Sequence, residues 1–147
     1  MNMGIAFEYL GRTDDARRNL ENAISLADET GQARTKAYAM VSLAEILIKR
    51  GEPEAAKEHC FSALDILTDL QDPLGISGAY INLALAEDKC GNTDGVKEYC
   101  RESIAALDGV DVPEILEKRK VELDRLLREV GDANDGPAIA AREKKNV

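Results

Sequence analysis

Three glycines recur at one fixed interval, and this interval constrains the fold more than any other feature of the chain. Gly11, Gly51 and Gly91 are spaced forty residues apart, and each follows one amphipathic segment and precedes another. We call this spacing the repeat period; adding it once more leads to Gly131. A fixed period of this length is typical of arrays in which one supersecondary unit is repeated and stacked on its neighbours. The period therefore predicts a helical repeat array.

The residues around each glycine predict a helix, a tight turn and a second helix. In the first unit Met3, Phe7 and Leu10 share one helical face. Gly11 is then expected to reverse the chain, because glycine adopts open and left-handed conformations without strain. In the second unit Pro53 stands in the first turn of the next helix, where proline is tolerated. We predict repeats over about 1–31, 32–71 and 72–111, a capping helix over 112–131 and a flexible tail over 132–147.

Small residues recur at fixed distances from the glycines. Seven residues before them stand Gly4, Ala44 and Ala84, and five residues after them stand Ala16, Ala56 and Val96. These columns resemble the tetratricopeptide (TPR) repeat, in which small residues let the two helices of a hairpin pack closely. The common TPR period is about 34 residues, so the chain resembles a long-period variant. The resemblance implies an all-α superhelix of three helical hairpins and a C-terminal capping helix.

The charge balance limits the classes of partner. The chain has 28 acidic residues and 19 Lys or Arg residues, a formal net charge of −9. A nucleic-acid surface needs a basic stripe, and anionic membranes attract basic segments. The sequence shows no apolar run of membrane-spanning length and no leader. We therefore expect no nucleic-acid partner, no membrane partner and a cytoplasmic location.

The residues that carry chemistry in enzymes are sparse here. His59 is the only histidine, and a general base needs a nucleophile and an orienting group beside it. The three cysteines form no metal-binding or disulfide pattern. Cys60 and Cys100 occupy the same repeat column, which favours a packing role. We predict no enzymatic activity, no cofactor and no metal.

The resemblance also implies a binding face, because TPR arrays take partner peptides on the concave side lined by the first helix of each repeat. Transferred by register, the peptide-binding residues are Ile5, Glu8 and Tyr9 in the first repeat, Tyr38, Val41, Ser42, Glu45, Ile48 and Lys49 in the second, Ile81, Asn82, Leu85, Asp88 and Lys89 in the third, and Val121 and Arg125 beyond it. The apolar members are expected to escape burial and to meet an apolar or amphipathic peptide. Its basic side chains would face the acidic members.

The favoured function is a non-enzymatic protein–protein interaction module or scaffold that binds a partner peptide or helix on its concave face. One alternative is a self-assembly element, a homo-oligomer formed through the open N-terminal repeat, because only ten residues precede Gly11. Another is a regulatory domain of a larger TPR protein that senses a small molecule or a peptide. The sequence leaves these alternatives open.

Overall fold

The computed structural model describes the backbone of residues 3–146 and the side chains of residues 11–131. Its six helices are α1 (Met3–Glu29), α2 (Ala33–Lys49), α3 (Pro53–Asp69), α4 (Pro73–Lys89), α5 (Thr93–Ala106) and α6 (Pro113–Asn146). Helices joined by turns account for the described backbone, and no strand occurs in it. The predicted all-α class is confirmed.

The helices recur with the repeat period of the glycines. The first helices of successive units, α2, α4 and α6, begin at residues 33, 73 and 113, and α3 and α5 begin at residues 53 and 93. Left-handed residues mark the turns at Gly31, Gly51, Gln71 and Gly91, which are spaced by half a repeat period. Each period therefore contains two turns of the same geometry. Gln71, with a φ of 54°, adopts a conformation that favours glycine.

Proline residues and two capping side chains mark the starts of helices α3 to α6. Proline is the first residue of α3, α4 and α6, where its missing N–H leaves no helical hydrogen bond unmade. The Asp72 carboxylate accepts the Gly75 N–H at 3.0 Å at the start of α4, and the Asn92 side chain accepts the Gly95 N–H at 3.1 Å at the start of α5. These side chains satisfy backbone donors that the first helical turn leaves unpaired.

The first repeat differs from the prediction. Helix α1 continues through Gly11 to Glu29, so the turn predicted at Gly11 is wrong and one long helix replaces the first hairpin. Glycine in a helix costs only about 1 kcal/mol relative to alanine, so it permits a turn without imposing one. Helix α6 likewise continues past Gly131 to Asn146. The flexibility predicted for residues 132–147 stays a prediction, because their side chains lie outside the described part.

The helices form two layers. Each helix packs on its neighbours along the chain, and in addition α2 contacts α4 and α4 contacts α6. Helices α2, α4 and α6 therefore lie side by side, with α3 and α5 behind them. The backbones of α3 and α5 do not contact each other in the described part of the chain.

The core runs between these layers. Leu43 of α2 and Leu83 of α4 are fully buried in one cluster. Helix α6 closes the far end by burying Leu123, Leu126 and Val130 against α4 and α5. Helix α6 thus presents one apolar stripe to the core, and its role as a cap stays a prediction.

Candidate functional site

A groove lies across the layer formed by α2, α4 and α6, and we call it the first-helix groove. It has a volume of about 430 Å³. Each of the three helices contributes side chains to it, and the lining residues are Val41, Glu45, Gly78, Ile81, Asn82, Ile115, Lys118, Arg119 and Glu122. The groove therefore depends on the stacking of successive repeats.

Two contacts set the shape of the first-helix groove. The Asn82 amide donates a hydrogen bond to the Val41 carbonyl at 2.8 Å, which ties α4 to α2 across the floor. The Arg119 guanidinium lies against Gly78, where an added Cβ would come within 3.3 Å of its Nη1 atom. Glycine at this position lets the α6 side chain approach the α4 backbone. A hydrogen bond thus joins α4 to α2 on one side of the floor, and the Arg119 cation covers the other side at Gly78.

The walls of the first-helix groove carry both signs of charge. Glu45 and Glu122 supply carboxylates, and Lys118 and Arg119 supply cations. The Glu45 carboxylate also pairs with Lys49 at 3.3 Å. Mixed charges around the half-buried Val41 and Ile115 side chains match an amphipathic segment better than a single charged group.

Tyr38 lies at the edge of α2 in a polar network. Its hydroxyl donates to Asp72 Oδ2 at 2.8 Å, and Arg34 Nε lies 3.3 Å from the same oxygen. Desolvation, together with this hydrogen bond, raises the pKa of Tyr38 to about 12. The phenol is therefore protonated at neutral pH, and its hydroxyl is engaged with the carboxylate that caps α4.

The structure brings four of the predicted site residues together. Val41, Glu45, Ile81 and Asn82 line the first-helix groove. The expectation that the apolar members escape burial is wrong for Ile48 and Ile81, which are 5% and 4% exposed. Both side chains belong to core clusters, because the first helices are covered by neighbours on more than one side.

The other predicted residues fall outside the lining. Ser42, Lys49, Asp88 and Lys89 are exposed, and Leu85 is half-buried against the core. Ile5, Glu8 and Tyr9 lie outside the residues whose side chains are described. That any of these residues binds a peptide stays a prediction.

On helix α6 the two transferred residues miss the groove. Val121 and Arg125 are exposed and do not line the groove. The α6 residues that do so are Ile115, Lys118, Arg119 and Glu122, at the spacing of one helical face. Lys118 and Glu122 stand one repeat period after Gly78 and Asn82, which line the groove on α4. The register therefore extends to α6, and the transfer selected the wrong positions on this helix.

A second polar network, away from the groove, joins the α2/α3 hairpin to the α4/α5 hairpin. Lys57 Nζ lies 2.7 Å from Glu87 Oε1, and the Asn92 amide donates to Glu87 Oε2 at 2.6 Å. The hydrogen bond to Glu87 is the main reason that the pKa of Lys57 is raised. Every strong acceptor and donor in this network has a partner, which is typical of a structural ion pair.

The described residues contain no group of three His, Cys, Asp or Glu side chains arranged to hold a metal ion. Burial raises the pKa of Cys60 to about 12 and that of Cys100 to about 11, so both thiols stay protonated at neutral pH. Thiols in this state are poor nucleophiles. Within residues 3–146, no helix combines the length and apolar character of a membrane span.

Comparison with known proteins finds a relative that matches most of this chain. Over 132 residues the chain is 27% identical to the 43 kDa receptor-associated protein of the synapse from Tetronarce californica. The match covers 88% of this chain but only 31% of that protein, so the chain spans less than a third of the length of the curated relative. No family model and no solved structure matches the chain.

Proposed function

We propose that the chain is a long-period TPR-like solenoid and acts as a non-enzymatic interaction module that docks a partner protein in the first-helix groove. The observation that carries this proposal is the groove itself. Three helices that begin one repeat period apart along the chain place half-buried apolar side chains, the Asn82 amide and charged walls on one continuous face. A partner that spans this face contacts equivalent positions of successive repeats.

The layering of the helices supports docking on this side. Helix α4 contacts both α2 and α6, whereas the described backbones of α3 and α5 do not contact each other. The first-helix layer is therefore packed more closely than the other layer. An array with one layer packed more closely curves toward that layer. The first-helix groove then lies on the concave side, where repeat proteins present extended binding surfaces.

The similar protein supports the coarser part of the proposal. Its printed name describes a protein that is associated with a receptor, which is a protein-interaction role. We transfer only that role to this chain. The partner is inferred from the groove, as a peptide or helix with an apolar face and charges of both signs.

The mechanism is rigid docking. An apolar side chain of the partner would cover Val41 and Ile115, which are half-buried in the free protein. Its charged side chains would meet Glu45 on one wall and Lys118 on the other. Charges at such a rim act mainly on partner choice and on the rate of association.

A charge exchange tests the proposal while keeping the net charge constant. The variant Glu45→Arg/Lys118→Glu reverses one exposed charge on each wall. The control Glu29→Arg/Arg128→Glu exchanges two exposed charges that do not line the groove. Both variants are first matched to the unaltered chain by helical circular dichroism and by thermal midpoint.

Capture of partners from native lysate then distinguishes the two variants. We expect the groove variant to retain at most about a tenth of the partner that the control retains, a difference of about 1.4 kcal/mol in binding free energy. Equal retention by the two variants contradicts docking in the first-helix groove.

A further inference from the structure

Aromatic side chains gather on the opposite side of the molecule from the first-helix groove. The chain has four Tyr and two Phe residues, and three of these six meet at one place. Phe61 of α3 lies edge-on to Tyr99 of α5, with ring centroids 6.5 Å apart. Tyr80 of α4 stacks on Tyr99 with centroids 6.1 Å apart. We call the surface formed by these three residues the aromatic groove.

The aromatic groove consists of two adjoining depressions. One has a volume of about 420 Å³ and contains all three rings, together with the carboxylates of Asp65, Glu98 and Glu102. The other, of about 460 Å³, is more apolar and includes Ile76 and Ala105 in its lining. Tyr80 and Glu102 line both depressions, so the two form one continuous surface.

The charges in the aromatic groove have a single sign. Neither depression has a Lys or Arg residue in its lining. None of the ion pairs between described residues includes Asp65, Glu98 or Glu102. Glu98 and Glu102 lie close enough to Tyr80 to add to the effect of burial in raising its pKa. Burial, together with Glu87 and Glu98, likewise raises the pKa of Tyr99, and the Lys57 cation partly opposes this.

The exposure of Phe61 and the carboxylates beside the rings indicate what kind of group would cover the rings. Phe61 is 46% exposed although it is a large apolar side chain. Aromatic faces attract cations through their quadrupole, and the attraction strengthens when the cation is removed from water. Carboxylates beside the rings add hydrogen-bonded charge partners for the same cation. An uncharged apolar segment would leave these carboxylates partly desolvated without a partner.

We propose that the aromatic groove binds a basic segment of a partner protein. A Lys or Arg side chain lies over the rings between Phe61 and Tyr80, and its charged group meets Glu98 and Glu102. An apolar neighbour in the segment occupies the depression beside Ile76. The site is independent of the first-helix groove, because α3 and α5 supply most of it and neither helix lines the other groove.

The probe is a fluorescein-labelled peptide of alternating Leu and Arg, measured by fluorescence anisotropy at about 0.15 M salt, where distant charges are screened. Its control replaces each Arg by citrulline, a neutral side chain of nearly the same shape. We expect the Arg peptide to bind at least tenfold more tightly than the citrulline peptide. Equal affinity of the two peptides overturns the proposal.

Variants separate the site from the general charge of the chain. Glu98→Gln/Glu102→Gln should weaken binding at least tenfold, and Phe61→Leu should weaken it about threefold by keeping apolar area while removing the ring. The matched control Glu29→Gln/Glu117→Gln makes the same change in net charge at two exposed positions elsewhere. We expect this control to bind within twofold of the unaltered chain. Equal weakening by the two double variants would show that the peptide responds only to the net charge of −9, and would overturn the proposal.

Sedimentation of the chain alone tests one competing occupant. The sequence contains a basic stretch with Arg142, Lys144 and Lys145, which a second copy of the chain offers as a ligand. A monomer in the absence of peptide is the result we expect. An oligomer that Glu98→Gln/Glu102→Gln dissociates would assign the aromatic groove to self-association and overturn the proposal of a separate partner.

Discussion

The junctions α1/α2 and α3/α4 use equivalent positions, one repeat period apart, for different chemistry. At the first junction Arg50 pairs with Asp14. The equivalent pair at the second junction is Cys90 with Glu54, a thiol that lies 3.4 Å from a carboxylate oxygen. Two positions that face each other in both repeats thus carry an ion pair in one and a weak hydrogen bond in the other.

The α3/α4 junction has no cation at Cys90, but it has one about a helical turn away, at Lys57. Lys57 pairs there with Glu87, which is 6% exposed. The equivalent residues at the first junction are Arg17, which pairs with Glu21 of its own helix, and Leu47, which is 5% exposed. Leu47 and Glu87 are therefore buried to the same extent although one is apolar and the other is charged. The position within the repeat determines how deeply the side chain is buried. The residues packed around it determine whether that side chain can be charged.

The two hairpins show the same principle on a smaller scale. Ala37 and Ala63 are fully buried between α2 and α3. At the equivalent positions of α4 and α5 stand Ser77 and Ser103, also fully buried. Their hydroxyl oxygens are 2.7 Å apart, and the Ser103 hydroxyl donates to the Ser77 carbonyl at 2.9 Å. The polar atoms occur as a satisfied pair in place of an apolar pair.

The largest effect is expected when one member of the buried ion pair is removed. Lys57→Met leaves the Glu87 carboxylate buried without its cation, and should lower the free energy of unfolding by about 3 kcal/mol. Lys57→Met/Glu87→Leu imitates the apolar column at Leu47 and should recover to within about 1 kcal/mol of the unaltered chain. Urea denaturation measures both values. A double variant as unstable as the single one would show that the two junctions are not equivalent.

The serine pair should respond in the same way with a smaller magnitude. Ser103→Ala removes the acceptor and donor that satisfy Ser77, and should cost about 1 to 2 kcal/mol. Ser77→Ala/Ser103→Ala recreates the alanine pair of the other hairpin and should be less destabilising than the sum of the single changes. The coupling is read from a double-mutant cycle in urea. Additive effects would contradict the equivalence of the two hairpins.

The left-handed turns offer a smaller and opposite effect. Gln71 is the non-glycine residue among the four turns that are spaced by half a repeat period. Gln71→Gly should raise the free energy of unfolding by about 0.5 to 1 kcal/mol, because glycine has no steric penalty at positive φ. Gly51→Ala, at a φ of 80°, should lower it by about 1 kcal/mol and serves as the reciprocal control. Thermal and urea denaturation test both changes.

The cysteines give the smallest effect on the fold and a direct check of burial. Cys60 and Cys100 are fully buried, whereas Cys90 is exposed at the position equivalent to Arg50. A disulfide reagent at pH about 8 should label one thiol quickly in the native protein and three in denaturant. Desolvation and the hydrogen bond to Glu54 raise the pKa of Cys90, so its labelling should be slower than that of a small thiol and should accelerate as the pH rises. Rapid native labelling of two or three thiols would contradict the packing.

Periodicity predicted the parts of the fold that depend on local pattern. The all-α class and the helix that starts at Pro53 follow from amphipathic spacing and proline placement. The turn at Gln71 forms without the glycine that is found at the equivalent turns. At Gly11, by contrast, a glycine is present and no turn forms. Local chemistry permits a turn at such positions, and packing of the flanking helices decides whether one forms.

The repeat register predicted part of the candidate site. Val41, Glu45, Ile81 and Asn82 were identified by register, and they line the first-helix groove. On α6 the transfer selected Val121 and Arg125, whereas Lys118 and Glu122, one repeat period after Gly78 and Asn82, line the groove. The aromatic groove was missed for a different reason. Its rings come from three helices, and their meeting depends on the stacking of one hairpin on the next.

Photo-crosslinking is the most direct test of the central claim that equivalent helices of successive repeats form one docking surface. A benzophenone amino acid replaces Glu45 on α2, Lys118 on α6 or, as a control outside the groove, Glu29 on α1. After irradiation in native lysate, we predict that the first two positions crosslink the same partner and that the third does not. Crosslinking of that partner from Glu29 alone, or of unrelated proteins from the two groove positions, would contradict a common docking surface.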